Sequence, residues 1–408
     1  MDQNVRAVVI VGGGQAGART AKSLRAIGYD GALTLIGAEN HSPYERPDLS
    51  KACLLDAAAM PPSVIDAAFC TEQRIALITA RQACAIDRQQ RDVLLDDGTQ
   101  HPYDRLVLAT GCKPRRLSLA GLDSRRVFYL RTLDDARALR PRLQPGSSIV
   151  IVGGGFIGLE VAAGAQALGC QVSVLEAAPV LLPRLGSTIA SEKVLDHHRR
   201  AGIDIRLDTR IAYVDGTRLV LSTGEAIKAE TIVAGIGVIP DTALAEAAGL
   251  AVDDGILTNE FGETSDRSIL AAGDVTRHFN PLLQRHLRLE SWQNANLQPE
   301  AVARTIMGER VAYAEIPWLW SDQGDLNLQA AGAPAQVDMT VQRGGDSTGV
   351  SIFQFACGAL VGGITINRGK DMPVIRRLLR QAQPIDDPEA LADDSKPLRA
   401  FLRAGAAS

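Results

Sequence analysis

The chain has 408 residues, 46% of them apolar and 22% charged, with a formal net charge of −4. That is the composition of a globular protein of about two or three domains. The acidic balance argues against a dedicated nucleic-acid binder, and no apolar run approaches the roughly 18 residues a bilayer span needs. The six cysteines (Cys53, Cys70, Cys84, Cys112, Cys170, Cys357) are scattered without a C-x-x-C. This points to reduced thiols in the cytoplasm rather than to a metal knuckle or a local redox pair. The start MDQNVRAVVI lacks the parts of a signal peptide, which fits the same setting.

The first predicted element is a strand over Val8–Val11, a β-branched run suited to burial on both faces. Gly12-x-Gly14-x-x-Gly17 follows and opens a helix that runs to about Ile27, with Gly28 placed to cap its end. In such a turn the first glycine permits the tight bend. The second lets the backbone approach a pyrophosphate, and the third lets helix and strand pack closely. The free amides of the new helix then face the phosphates. A second strand, ALTLIG, leads to Glu39, at the offset where an acid bonds a ribose hydroxyl.

The same device returns at Ile149–Val152, with Gly153-x-Gly155-x-x-Gly158, a helix to about Leu168, Gly169, the strand QVSVLE and Glu176. One such fingerprint is weak evidence. Two, each with strand before, helix after and acid at the right distance, suggest FAD at one site and NAD(P)H at the other.

Two segments, YDRLVLATGCKP and RSILAAGDVTR, end β-runs in small-residue turns that let backbone approach a ligand. The first offers Ala109, Thr110 and Gly111, and the second offers Asp274 to a flavin ribityl chain. VLLDDGTQHPYDRLVLATG reads as a hairpin about an Asp-Gly turn, and LVLSTGEAIKAETIVAG repeats it in the second half. After residue 314 come alternating strand patterns, a helix over MPVIRRLLRQAQ, and a tail from Asp386 expected to form one amphipathic helix. The expected fold class is α/β: two Rossmann-like dinucleotide-binding domains plus a C-terminal α+β domain.

The two fingerprints, with SPYERPDLSK, LVLATG, AGIGVIP, AAGDV, ESWQNA and PWLWSDQ in this order, resemble two-dinucleotide flavoprotein reductases of the pyridine nucleotide–disulfide oxidoreductase superfamily. Within it the chain is similar to the ferredoxin reductases that serve bacterial ring-hydroxylating dioxygenases and P450s. The resemblance covers nearly the whole chain. It implies an FAD-binding domain of residues 1–111 and 235–313, an inserted NADH-binding domain of 112–234, and a C-terminal α+β domain of 314–408. It also implies NADH:ferredoxin oxidoreductase activity, with electrons passing through FAD to a [2Fe–2S] ferredoxin, or a rubredoxin-like acceptor.

The resemblance assigns FAD to Gly12, Gly14, Gly17, Glu39, Arg46, Lys51, Ala109, Thr110, Gly111, Asp274 and Trp292. It assigns NADH to Gly153, Gly155, Gly158, Glu160, Glu176, Arg184 and Gly237. Lys51 is placed beside the flavin, where a cation stabilises negative charge on the reduced ring, and Glu160 is its ion-pair partner. These two are the catalytic candidates. Glu176 selects NADH, since a carboxylate repels the extra phosphate of NADPH. Trp320 marks the edge where the ferredoxin docks. A basic docking patch is expected among Arg277, Arg285, Arg288, Arg376, Arg377 and Arg380. Where the family often shows Pro-Pro, this chain has Pro47-Asp48.

Cys53 lacks the C-x₄-C partner of a disulfide reductase and reads as a buried thiol. No cysteine set suits an iron–sulfur cluster, the histidines form no ligand spacing, and no metal site is expected. Two alternatives share the architecture: an NADH oxidase, peroxidase or coenzyme A-disulfide reductase, and a flavoprotein of the apoptosis-inducing-factor type.

Overall fold

The computed structural model describes residues 5–345, 347–382 and 384–402. The chain divides into two compact units: 1–48, 60–113 and 238–315 form the first, and 49–59, 114–237 and 316–408 the second.

The first unit is built on a five-stranded sheet in the order Ile269–Ala271, Arg105–Leu108, Ala7–Val11, Ala32–Ile36, Ile75–Ile78, all pairs parallel. Ala7–Val11 sits at its centre because both its faces are apolar. Val8 and Ile10 join Leu24, Leu33 and Leu35 in one core cluster. Val9 and Val11 point the other way and join Ile36, Leu106 and Leu108. Alternation along a strand is what sends neighbouring side chains to opposite faces. The helix Gln15–Ala26 follows the glycine turn and ends at Gly28, whose φ of 89° suits the expected cap.

The second unit repeats this plan. Its parallel sheet runs Asp204–Arg206, Gln171–Leu175, Ser148–Val152, Thr231–Ala234, Val127–Phe128. The helix Phe156–Ala167 leaves its central strand. Each sheet carries an antiparallel three-stranded meander: Ala83–Asp87, Asp92–Leu95 and Gln100–Pro102 in the first, and Ile211–Asp215, Arg218–Leu221 and Ala226–Lys228 in the second. Both expected hairpins are therefore present.

The C-terminal part of the second unit is an antiparallel sheet in the order Trp318–Gln323, Leu326–Gly332, Ala359–Ile366, Gly349–Ala356, Met339–Gly345. The helix Met372–Gln381 packs on it through Ile375, Leu378 and Leu379, against Phe353 and Phe355. The expected α/β class, with two Rossmann-like sheets and a C-terminal α+β part, is the observed one.

The tail differs from expectation. In place of one amphipathic helix, 384–402 holds two short 3₁₀ segments, Pro388–Ala392 and Leu398–Phe401. The rest of that expectation, 403–408, lies outside the described residues. The reason is a buried arginine. Arg343 donates to the carbonyls of Leu391 (3.0 Å), Asp393 (2.7 Å) and Lys396 (2.5 Å). In a helix, amides four residues on would claim those carbonyls. Pro397 also drives its predecessor out of the helical region.

Candidate functional site

The two glycine turns share one local logic. Gly12 has φ +121°, and a Cβ there would lie 2.1 Å from the Ala109 carbonyl oxygen. A Cβ on Gly17 would lie 1.9 Å from the Gly12 oxygen. In the second turn Gly153 has φ +107° and would meet the Gly235 oxygen at 2.5 Å, and Gly158 would meet the Gly153 oxygen at 2.3 Å. Packing within the protein therefore demands the first and third glycines.

It does not demand the middle ones. Gly14 and Gly155 have ordinary φ values of −92° and −85°. The nearest atom to an added Cβ is at 3.6 Å for Gly14, the end of the Arg46 side chain, and at 3.9 Å for Gly155. The space kept clear in front of each helix start, with no side-chain cap, is the cradle a pyrophosphate fits. The residues present thus suit a dinucleotide at each turn.

Around the first turn, Ala109 donates its amide to the Val11 carbonyl at 2.8 Å. Thr110 Oγ1 donates to the Asp241 carbonyl at 2.7 Å, and Gly111 has φ +69°. Gly273 brings the Asp274 turn onto the fingerprint helix: a Cβ there would lie 2.6 Å from the Ala16 Cβ. The buried Gln298 holds this turn by accepting the Gly273 amide at 2.7 Å. Nothing in the sequence pattern marked Gln298, because the helix Trp292–Ile306 hides its polar inner face among apolar neighbours. Trp292, half-buried, begins that helix after Ser291, whose hydroxyl accepts the Asn294 amide.

Glu39 accepts from Arg46 at 2.7 Å and from the Tyr44 hydroxyl. Burial opposes the Arg46 charge, but Glu39 and Tyr44 outweigh it and raise the guanidinium pKa. A carboxylate has about four acceptor positions, so capacity remains at Glu39 for a ribose.

Around the second turn, Glu176 accepts the Gly154 amide at 2.6 Å and the Ala178 amide at 2.8 Å. Gly154 is itself constrained: a Cβ would lie 2.5 Å from Leu181 Cδ2 and 3.2 Å from Glu176 Oε2. The fingerprint specifies no residue at position 154, since the constraint on Gly154 comes from Leu181, outside the motif. Arg184 is exposed on a 3₁₀ turn between Leu182 and Gly186, both at positive φ. Gly237, φ +92°, accepts the Arg115 amide at 3.0 Å.

Lys51 and Glu160 meet as an ion pair at 3.3 Å. Glu160 lies past the first turn of its helix, which contains no acid, so interaction with the helix end does not explain it. It is 5% exposed, and a buried carboxylate needs partners. Ser50 donates to Oε2 and Ser321 to Oε1, the latter at 2.7 Å. Trp320 is partly exposed and stacks on Trp318 with ring centres 5.2 Å apart; the Arg376 guanidinium lies 5.3 Å from the Trp318 ring centre.

Cys53 is buried and none of the six cysteines forms a disulfide. Among the described residues no cluster of three or more His, Cys, Asp or Glu could hold a metal, and no helix is long and apolar enough to cross a membrane. In the expected docking patch, Arg277 pairs with Asp253, and Arg288 pairs with Asp254 and Glu290. Arg377 and Arg380 are exposed.

Residues 6–298 match the pyridine nucleotide-disulphide oxidoreductase family. The chain belongs to that family. Residues 318–402 match the reductase C-terminal family. Among this oxidoreductase's relatives is the anthranilate 1,2-dioxygenase system ferredoxin–NAD(+) reductase component of Burkholderia cepacia. The two are 44% identical over 97% of this chain and 98% of that one. Putidaredoxin reductase of Pseudomonas putida is 36% identical over 98% and 97%. The crystal structure of the covalent putidaredoxin reductase–putidaredoxin complex superposes with a TM-score of 0.93 at 35% identity, covering 98% of each chain.

Proposed function

We propose that the protein is an NADH-dependent ferredoxin reductase that passes electrons through FAD to a [2Fe–2S] ferredoxin serving a ring-hydroxylating dioxygenase or a P450. It works in the cytoplasm. Residues 1–111 and 235–313 hold FAD, 112–234 hold NADH, and 314–408 form the C-terminal α+β domain. The two clear cradles at Gly14 and Gly155 carry this reading.

Bound FAD would supply the exchange between a two-electron hydride donor and a one-electron acceptor. The chain supplies place and charge. The amides after Gly14 and Gly155 would receive the pyrophosphates, and Glu39 and Glu176 would each take a ribose. Asp274 would hold the ribityl chain, and Ala109, Thr110, Gly111 and Trp292 would line the flavin. Lys51, held by Glu160, presents a cation where negative charge develops. Trp320 marks the ferredoxin-facing edge. The buried Cys53, without a second cysteine in C-x₄-C spacing, supports direct electron exit over a thiol relay.

The test is an anaerobic titration of the purified yellow protein with NADH, then addition of oxygen or a [2Fe–2S] ferredoxin. The expected result is prompt bleaching, slow reoxidation by oxygen and fast reoxidation by ferredoxin. Rapid oxygen turnover would replace this reading with an oxidase, and a colourless protein would remove FAD from it.

A further inference from the structure

The strand Trp318–Gln323 turns two polar residues inward. Ser321 and Gln323 are both 0% exposed, while Trp318, Trp320 and Asp322 alternate onto the other face. Burying hydroxyl and amide groups costs free energy unless each is bonded. The bonds they make form a line. Gln323 Nε2 donates to Ser321 Oγ at 3.1 Å, Ser321 Oγ donates to Glu160 Oε1 at 2.7 Å, and His198 Nε2 stands 2.7 Å from Gln323 Oε1.

The direction of this line is forced. Paired with Lys51, the Glu160 carboxylate only accepts, so the single Ser321 proton points at it. Ser321 Oγ must then accept from the Gln323 amide nitrogen, which leaves the Gln323 carbonyl for His198. His198 therefore donates from Nε2, and its Nδ1, which has no partner among the described residues, carries no proton. The ring is 1% exposed and burial holds its pKa below the ordinary value, so it stays neutral. The titratable neighbour is His197, edge-on at 5.4 Å, which lies 3.3 Å from Asp325. Three donors in series thus all point toward one carboxylate, the arrangement in which each bond polarises the next.

We propose that Ser321, Gln323 and His198 are positioning residues: a one-way hydrogen-bond chain fixes the rotation of the Glu160 carboxylate and so the place of Lys51 during hydride transfer. The inference rests on the reading that this pair lies beside the flavin. Ser50 takes the second carboxylate oxygen, so Glu160 is held at both oxygens and offers Oε1 to Lys51. The C-terminal sheet thereby has a part in the reductive half-reaction, apart from any part in ferredoxin docking.

The test uses stopped-flow reduction of the FAD-loaded enzyme by NADH without oxygen. Ser321→Ala and Gln323→Leu are expected to slow reduction at saturating NADH by about tenfold or more, with NADH affinity nearly unchanged, since small misplacements cost rate. Ser321→Thr keeps the hydroxyl and restores the rate. In a Glu160→Gln background Ser321→Ala slows nothing further, which a general structural loss would not reproduce. In the FAD-free protein, nitrogen-15 NMR of the histidines is expected to show His198 protonated on Nε2 and slow to exchange, with exchange faster in Ser321→Ala. A wild-type rate in both Ser321→Ala and Gln323→Leu, full additivity with Glu160→Gln, or a His198 proton on Nδ1 overturns the chain. An unchanged rate in Glu160→Gln alone overturns instead the reading that places the pair at the flavin.

Discussion

The Glu176 carboxylate binds the Gly154 amide at 2.6 Å, so the residue expected to choose the cofactor also fixes the turn that cradles it. Glu176→Gln keeps an acceptor for the turn but loses the charge that repels a 2′-phosphate. The NADH over NADPH ratio of kcat/KM is expected to fall by about tenfold, which is about 1.4 kcal/mol. Glu176→Ala also frees the turn, and both cofactors lose affinity. Steady-state kinetics with the two nucleotides checks this, and an unchanged ratio removes Glu176 from selection.

The glycines of the second turn separate into those packing needs and the one it does not. Gly158→Ala puts a Cβ 2.3 Å from the Gly153 oxygen and is expected to cost about 1–3 kcal/mol of stability. Gly155→Ala meets no protein atom closer than 3.9 Å. It should melt like the parent protein yet bind NADH about tenfold more weakly or worse, because the methyl occupies the pyrophosphate's approach. Thermal melts beside NADH titrations read both effects.

His278 is wholly buried in the first unit, and neither ring nitrogen has a partner among the described residues. Burial, with a smaller push from His286, lowers its pKa to about 4. Between about pH 6.5 and pH 4 the unfolded chain binds this proton and the folded one does not, so stability falls as pH falls through that window. The contribution is about 3 kcal/mol at most. His278→Phe is expected to flatten the acid limb of urea-unfolding midpoints measured from pH 7 to pH 4.5; an unaltered limb assigns the acid sensitivity elsewhere.

Cys53→Ser is expected to leave NADH-driven reduction of a [2Fe–2S] ferredoxin within about twofold of the parent, since a thiol relay needs a second cysteine and the sequence places none in C-x₄-C spacing with this one. Loss of turnover in a protein that still binds FAD would revive the thiol-dependent oxidase.

The glycine fingerprints, both hairpins and the acids at the strand ends were legible because local constraints create them: a positive φ at Gly12, a helix end at Gly28, an Asp-Gly turn at residues 97–98. What escaped was non-local. Gly154 is required by Leu181, and Gln298 by the amide of Gly273. The local sequence around Ser321 and Gln323 does not mark them as a polar site, since the groups that bury and bond them, Glu160 and His198, are distant in the chain. The tail departs from its helical pattern because its carbonyls are claimed by Arg343, about fifty residues upstream.

Gly111 and Asp241 stand on either side of the long excursion into the second unit, and the Asp241 amide bonds the Gly111 carbonyl at 2.9 Å. Lys113 closes the same spot with a 2.8 Å contact to the Asp241 carboxylate. The polypeptide thus leaves the first unit after residue 113 and returns at 238 beside its point of exit. Exchanging 114–237 for the counterpart of a relative with another nucleotide preference therefore joins the chain at a single place, provided that the graft keeps the partners of Ser50, Lys51, Ser321 and Gln323.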